Sequence, residues 1–449
     1  MGILGALSTA VSGLSAQSYA LENISGNIAN SQTVGFKRVD TSFVDLIPDS
    51  PAKRAASGSV MAQSSLTNTL QGTLRTTNLS TNMALSGDGY FVVAKNEGSE
   101  SLPIFNSINQ FTRRGDFKLD ANGHLVNGAN RYLVGTTYNP ATGAVVGAST
   151  SPIQIPETSI PAKQSTEVLY SGNLPTIPKP DKYSQNDVGS DMIRPAGYTT
   201  DPIATGTVVG SDVTTFLSES VPGGEITLYS GNGTAATAQF RWGKAADNTW
   251  MMFYQTDSTP TPAGVAWQSV SGTTPVTFDG NGQRTSAAKV AVTGVTIDGI
   301  AVGDINLDFG AGSLTQFGDV NGQPTPTLTQ DGYAFGTLAG TSVNTDGSVM
   351  GSYTNGRTAK LAQVSVAHFA ADDSLKREDG SSFSATAESG PPVYGMLGTT
   401  MTGAAVEESN TDISDEFSKM IVTQQAYSAN TRVMSTAQQM LQDVINIVR

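Results

Sequence analysis

The chain has 449 residues, 38% of them hydrophobic and 14% charged, with 48 glycines, no cysteine and a net charge of −13. That length exceeds a single core and should divide into about two to four domains. The missing thiols exclude disulfides, thiolate catalysis and Cys-ligated metals, and an acidic chain without a Lys/Arg cluster is not built to bind nucleic acid.

A helix is predicted over residues 3–30, roughly 42 Å long at 1.5 Å per residue. Leu4, Leu7, Val11, Leu14, Ser18, Leu21, Ser25 and Ile28 recur at alternating steps of three and four, the spacing of a coiled-coil seam. The helix is weak alone, because Gly13, Asn23, Gly26, Asn27 and Asn30 lower its propensity and Glu22 is its one charge. It should order only when its stripe is covered, so the isolated subunit is expected to be a monomer with loose ends. Asn30-Ser31 forms a stop and Gly35 suits a turn.

Residues 40–85 read as an extended connector with one or two short strands. Phe43, Val44, Leu46 and Ile47 are apolar, but Pro48 and Pro51 break the run. In 86–157, Tyr90-Phe91-Val92-Val93 is a strand and 111–119 another. Asp120-Ala121-Asn122-Gly123 turns the chain into Leu125-Val126, and Asn127-Gly128 turns it toward Tyr132-Leu133-Val134. Residues 158–335 form a separate antiparallel sandwich or barrel, with strands at 226–229, 238–242, 250–254, 276–278 and 305–309. The segment holds Trp242, Trp250 and Trp267, so it should own a distinct core. Residues 336–404 return to the earlier style, with a hairpin at 343–349 around Thr345-Asp346-Gly347 and a strand over 361–369.

The last element is a helix with a second seam: Ile413, Phe417, Met420, Gln424, Tyr427, Thr431, Met434, Gln438, Leu441, Ile445 and Val448. The predicted fold is mainly β with α-helical termini. It is an elongated stack of a terminal helical coiled-coil domain (1–39 and 405–449), the connector, a discontinuous β domain (86–157 and 336–404) and the inserted domain.

Little in the chain carries chemistry. Gly87-Asp88-Gly89 lacks a third glycine and leads into a strand, so it is no phosphate loop. Asp120-Ala121-Asn122-Gly123 and Asp279-Gly280-Asn281-Gly282 echo calcium loops but lack the acid spacing and read as hairpin turns. His124 and His368 read as structural, and the carboxylate pairs Asp372-Asp373 and Glu407-Glu408 as solvated. No catalytic residue, metal or cofactor is expected. No run of about eighteen apolar residues occurs, so no membrane insertion is expected, and no charged n-region marks a signal peptide. Met1-Gly2 is not followed by Ser or Thr at the sixth position, which is Ala6, so myristoylation is not expected.

The stripes have two readings, an antiparallel hairpin in the subunit core or packing among helices of several subunits. Polar seam positions such as Ser18, Ser25, Gln424, Thr431 and Gln438 weaken the first. The alanines off the seam, among them Ala10, Ala16, Ala20, Ala426 and Ala437, offer smooth secondary faces for further helices. The candidate assembly interface is Leu7, Val11, Leu14, Leu21, Ile28, Phe417, Met420, Tyr427, Met434, Leu441 and Ile445.

Residues 27–37 (Asn27-Ile28-Ala29-Asn30-Ser31-Gln32-Thr33-Val34-Gly35-Phe36-Lys37) resemble the N-x-A-N-x-x-T-x-G-F-K signature of bacterial flagellar rod and hook proteins. Four further blocks resemble the same family: Gly87-Asp88-Gly89-Tyr90-Phe91, Phe111-Thr112-Arg113-Arg114-Gly115, Tyr353-Thr354-Asn355-Gly356, and Gln424-Gln425-Ala426-Tyr427-Ser428-Ala429-Asn430-Thr431-Arg432. Tyr90 stands where the family often has Phe. The signature residues carried over are Asn27, Asn30, Thr33, Gly35, Phe36, Lys37, Gln424, Tyr427, Asn430 and Arg432. The large insertion resembles hook members rather than the shorter distal rod members, which remain the alternative. The resemblance implies a helical homopolymer in the extracellular hook of the flagellum, a curved tube that transmits torque from rod to filament. It implies type III export and contacts with distal rod, hook cap and hook–filament junction proteins. A secreted carbohydrate-active enzyme would need a carboxylate pair in an aromatic cleft, and the blocks argue against it; a surface adhesin would normally carry a signal peptide, and none is expected here.

Overall fold

The computed structural model describes residues 3–46, 59–99, 103–106, 108–155 and 159–447. Met1-Gly2, Ile47, Pro48, Pro51 and Val448 lie outside the described residues, as does the side chain of Leu4. The chain is mainly β with a long helix near each end, and it divides into two compact units. One comprises Met1–Thr158, Leu338–Tyr353 and Arg357–Arg449; the other comprises Ser159–Thr337 and Thr354–Gly356.

The first unit holds both long helices, Ile3–Ala29 and Ile413–Ile447, packed against each other. The second starts where it does because the Asp412 carboxylate accepts the amides of Ser414 and Asp415, which a helix start leaves unpaired. The connector is richer in strands than the sequence suggested. Val39–Leu46 and Ser59–Leu66 form an antiparallel ribbon that lies on the N-terminal helix. Asn23 Nδ2 donates to Thr41 Oγ1 at 2.9 Å, and Tyr19 Oη lies 2.6 Å from Ser64 Oγ. Two short strands then stitch early chain to late chain: Leu74–Thr76 pairs with Ala405–Glu407, and Met83–Ser86 with Thr400–Gly403.

Among the described residues, thirteen strands join the main sheet of this unit. Tyr90–Lys95 pairs with Gln110–Thr112, Arg131–Tyr138 and Val366–His368. Arg131–Tyr138 also pairs with Thr358–Val364, which continues through Ser348–Tyr353 to Leu338–Val343. The core beneath is Tyr90, Val92, Phe111, Val134, Leu375 and Phe383. Two expected strands are broken. Residues 111–119 split into Gln110–Thr112 and Lys118–Leu119, because the backbone between crosses Met83 closely: a Cβ on Gly115 would lie 1.6 Å from the Met83 carbonyl. Residues 361–369 break at Ser365, whose amide donates to Val134 O while its carbonyl accepts from Val92 N. The expected turns at 120–123 and 344–347 are present, with Gly123 and Gly347 at positive φ.

The second unit packs a six-stranded sheet and a five-stranded sheet. The five expected strands all fall on observed strands, several longer than predicted: Val221–Tyr229, Ala235–Ala246, Thr249–Gln255, Val276–Thr277 and Ile300–Asp308. The pairing is not wholly antiparallel. Glu167–Asn173 runs parallel to Ile300–Asp308 and to Leu314–Thr315. Strands so distant in sequence are joined by a crossover, which leaves either direction open. Two short helices, Pro202–Thr205 and Val213–Glu219, were not foreseen. The main core includes Trp242, Trp250, Tyr170 and Phe309, whereas Trp267 joins Phe216 and Phe253 in a smaller cluster.

Trp242 Nε1 donates to Tyr170 Oη at 2.7 Å between two buried rings. Tyr170→Phe removes that acceptor and strands a buried N–H, so it should destabilise this unit by about 1–3 kcal/mol. All three tryptophans lie in this unit, so the denaturant midpoint of their fluorescence reads it selectively. An unchanged midpoint would contradict the expectation.

Candidate assembly site

The two helices meet through their small residues rather than their large ones. Ala10, Gly13, Ala16, Ala20, Ile24 and Asn27 are buried on the N-terminal helix, and Glu416, Thr423 and Ala437 on the C-terminal helix. Small side chains let the backbones approach: a Cβ on Gly13 would stand 3.0 Å from Asn430 Nδ2. Of the alanines set aside for further helices, Ala10, Ala16, Ala20 and Ala437 thus line the contact within the subunit, while Ala426 stays half-open. The predicted stripe residues stay at least partly open. Leu7, Leu14, Leu21, Ile28, Met420, Met434 and Leu441 are half-buried, and Val11, Phe417, Tyr427 and Ile445 are exposed. Ile421, Val422, Val433, Met440 and Val444 extend the uncovered surface.

Where the helices leave this pair, the signature residues tie them together. Asn27 is buried and spends its whole amide: Nδ2 donates to Val39 O at 2.9 Å and to Glu416 Oε2 at 3.0 Å, while Oδ1 accepts from Val39 N at 2.9 Å. Glu416 is itself buried, and Lys419 bridges it to Asp40. Asn30 closes the helix end through Nδ2 to Gly26 O and accepts from Thr33 Oγ1. Gly35, at φ +66°, donates to Glu407 O at 2.8 Å. Phe36 is buried under the Arg377 guanidinium, 4.8 Å from its ring centroid.

Lys37 then enters a closed charge cluster. Its Nζ lies 2.6 Å from Glu407 Oε1 and also donates to Leu70 O. Arg113 Nη1 approaches Glu407 Oε2 at 3.4 Å, Nη2 donates to Gly87 O, and Gly72 N donates to Glu407 Oε1. Burial holds the Lys37 ammonium below its ordinary range; the Glu407 carboxylate opposes this and the Arg113 charge adds to it. Asn410 completes the tie, accepting from Arg38 N and donating to Thr67 O. Its chemistry is adhesion between the two ends of one chain.

Comparison with known proteins identifies the blocks. Four family models match: "Flagella basal body rod protein" over 7–37, "Flagellar hook protein FlgE/F/G D1 domain" over 84–174, "Flagellar basal body protein FlaE D2 domain" over 224–333, and "Flagellar basal body rod FlgEFG protein C-terminal" over 402–447. The flagellar hook protein FlgE of Escherichia coli K12 is 31% identical, covering 98% of this chain and 100% of the relative. That of Salmonella typhimurium is 30% identical over 98% and 99%. The chain belongs to the flagellar hook protein family. The hook protein FlgE of Brucella abortus is 30% identical over the full length of both chains. The hook protein FlgE2 of Helicobacter pylori aligns in structure with TM-score 0.45 and 14% identity, covering 73% of this chain and 98% of that one.

In this hook-family chain the signature was legible but its partners were not. Glu407, read as solvated, is fully buried, because its strand pairs with Leu74–Thr76 and turns the side chain inward; Glu408 next to it faces solvent and meets Arg75 at 2.7 Å. Asp372 is likewise half-buried, and burial raises its carboxyl above the ordinary value, helped by Asp88. Arg113, Asn410 and Glu416 carried no role in the sequence reading. A buried polar partner gives no periodic signal, and only contact shows it. In the C-terminal block, Asn430 faces Gly13, while Gln424, Tyr427 and Arg432 are exposed.

Gly35→Ala should loosen the tie. The new Cβ would lie 2.5 Å from Arg114 N, at a φ that L residues rarely adopt. We expect at least about 2 kcal/mol of local destabilisation, read as faster amide exchange at residues 35–38 and 405–407. Exchange rates equal to those of the parent would refute it.

Proposed function

We propose that this chain builds a helical tube from copies of itself through the open faces of its two terminal helices. The chain is a structural subunit of the bacterial flagellar hook. The observation that carries the assembly mode is the pair of helices that satisfy each other through alanine and glycine and leave Val11, Phe417, Tyr427 and Ile445 uncovered. An uncovered apolar surface on both helices of one layer is a surface for more helices. Leu7, Leu14, Leu21, Ile28, Met420, Met434 and Leu441, half-open beside them, complete the proposed interface.

In this reading the terminal domain (1–39 and 405–449) forms the tube wall nearest the axis. The β domains slide against those of neighbouring copies as the tube bends. The role is structural rather than catalytic. Distal rod, hook cap and hook–filament junction proteins meet the two ends of the tube, and subunits arrive through the type III export apparatus. Among the described residues no helix is long and apolar enough to cross a membrane.

Negative-stain electron microscopy of the purified full-length protein, concentrated in rising salt, tests this. Regular tubes are the expected result. Persistent monomers, or amorphous aggregate alone, would overturn it.

A further inference from the structure

The long helices carry six charged side chains, Glu22, Asp415, Glu416, Lys419, Arg432 and Asp443, and two of them serve the subunit's own fold. In Ile413–Ile447, Glu416 and Lys419 belong to the tie between the chain ends. Glu22, the only charge on the N-terminal helix, and Arg432 are both exposed, and neither has an ion pair among the described residues. Both face away from the contact within the subunit. At 100° per residue, Glu22 sits opposite the row Ala10, Gly13, Ala16, Ala20, Ile24, and Arg432 opposite the row Glu416, Thr423, Asn430, Ala437.

Two contacts fix the register between the antiparallel helices. Asn27 meets Glu416 and Gly13 meets Asn430, so fourteen residues on one helix match fourteen on the other. Glu22 is therefore level with Ile421, eleven residues before Arg432, or about 16 Å along the axis. Within one subunit these charges cannot meet. A second copy displaced by that distance along the helices brings them together. Each also sits beside exposed apolar groups, Tyr19 near Glu22 and Val433 near Arg432. Covering those groups without a counter-charge would strand an ion in a drying interface.

We infer that Glu22 of one copy and Arg432 of a second copy pair across the subunit boundary and set an axial stagger of about 16 Å between neighbours. This rests on the self-assembly reading above. Neither side chain supports the subunit's own fold, so both can be reversed without unfolding it.

The test is a charge swap in the full-length chain. Glu22→Arg and Arg432→Glu should each raise the critical concentration for tube formation about tenfold or more, and the double variant should return to within about threefold of the parent. In an Arg432→Lys variant, carbodiimide should join position 432 to Glu22, and mixing isotope-labelled with unlabelled subunits should show the link to be intermolecular. Single variants that assemble like the parent, or a double variant no better than the worse single, overturn the pairing. So does a missing cross-link to Glu22, or one to Asp443 in its place. A parent chain that forms no tubes would instead defeat the self-assembly reading.

Discussion

Replacing Glu407 with alanine should cost about 3–5 kcal/mol of stability in the helix-bearing unit. Among the described residues, Glu407 is the one carboxylate that pairs with both Lys37 and Arg113, at 2.6 Å and 3.4 Å, and all three side chains are buried. Without it, two cations remain in a dry site. Lys37 can shed its proton, but Arg113 cannot. The cost should therefore exceed that of Lys37→Met, which leaves Glu407 still held by Arg113 and by Gly72 N. Glu408→Ala is the internal control: its pair with Arg75 is exposed, and such pairs contribute about 0–1 kcal/mol.

Amide exchange at Gly72, which donates to the Glu407 carboxylate, reads the loss directly, and exchange at Gly35, which donates to the Glu407 main-chain carbonyl, reads the loosening of the strand around it. A Glu407→Ala cost no larger than that of Glu408→Ala would show that the cluster is not what ties the ends. The pH dependence has a definite sign. Lys37 titrates in the fold below its ordinary 10.5, pushed down by burial. Between the lowered value and 10.5 the unfolded chain binds more protons, so stability rises with pH there, and below that window the cost is present in full. Removing Glu407 takes away the group that opposes the shift. The window widens downward, and the variant should recover more of its loss than the parent gains as pH climbs toward 10.

What was legible in the sequence follows from what repeats. The helices showed through spacing: Leu7, Val11, Leu14 and their successors mark a helix whichever way it faces. The strands of the inserted unit showed through short apolar runs between turn clusters, and the observed strands extend them. Facing was harder. The seam carries the larger side chains and therefore looked like the main contact. Yet the subunit pairs its helices through Ala16, Ala20, Ala437 and Gly13, because close approach needs the absence of bulk. Two faces of one helix were visible, and their order of use was not. The connector was the other weak point: nothing in the sequence of 59–66 announces that Tyr19 and Ser12 on the N-terminal helix will meet Ser64 and Val60. Pairings such as Lys37 with Glu407 span most of the chain, so no local window contains both partners.

Leu441→Asp should abolish tube formation while leaving the subunit folded. Leu441 is half-buried in the subunit, and its neighbours Met440, Val444 and Ile445 are exposed. An aspartate here keeps its water in a free subunit. It loses about 0.3–1 kcal/mol from an unfavourable place near a helix C-terminus, too little to melt a unit held by the Glu407 cluster and a thirteen-strand sheet. Assembly changes the balance. If neighbouring helices cover this face, the carboxylate is buried without a partner, at several kcal/mol. Each 1.4 kcal/mol raises the critical concentration about tenfold, and every subunit added to the tube meets the same penalty. The expected result is parent-like circular dichroism, no sedimenting polymer and no tubes by microscopy, while Leu441→Met, which keeps the volume and stays apolar, assembles normally. Tubes from the aspartate variant at the parent's concentration would place the last turns of the helix in solvent. The subunit contact would then have to be sought nearer Phe417 and Tyr427, where the same helix first shows uncovered aromatic rings.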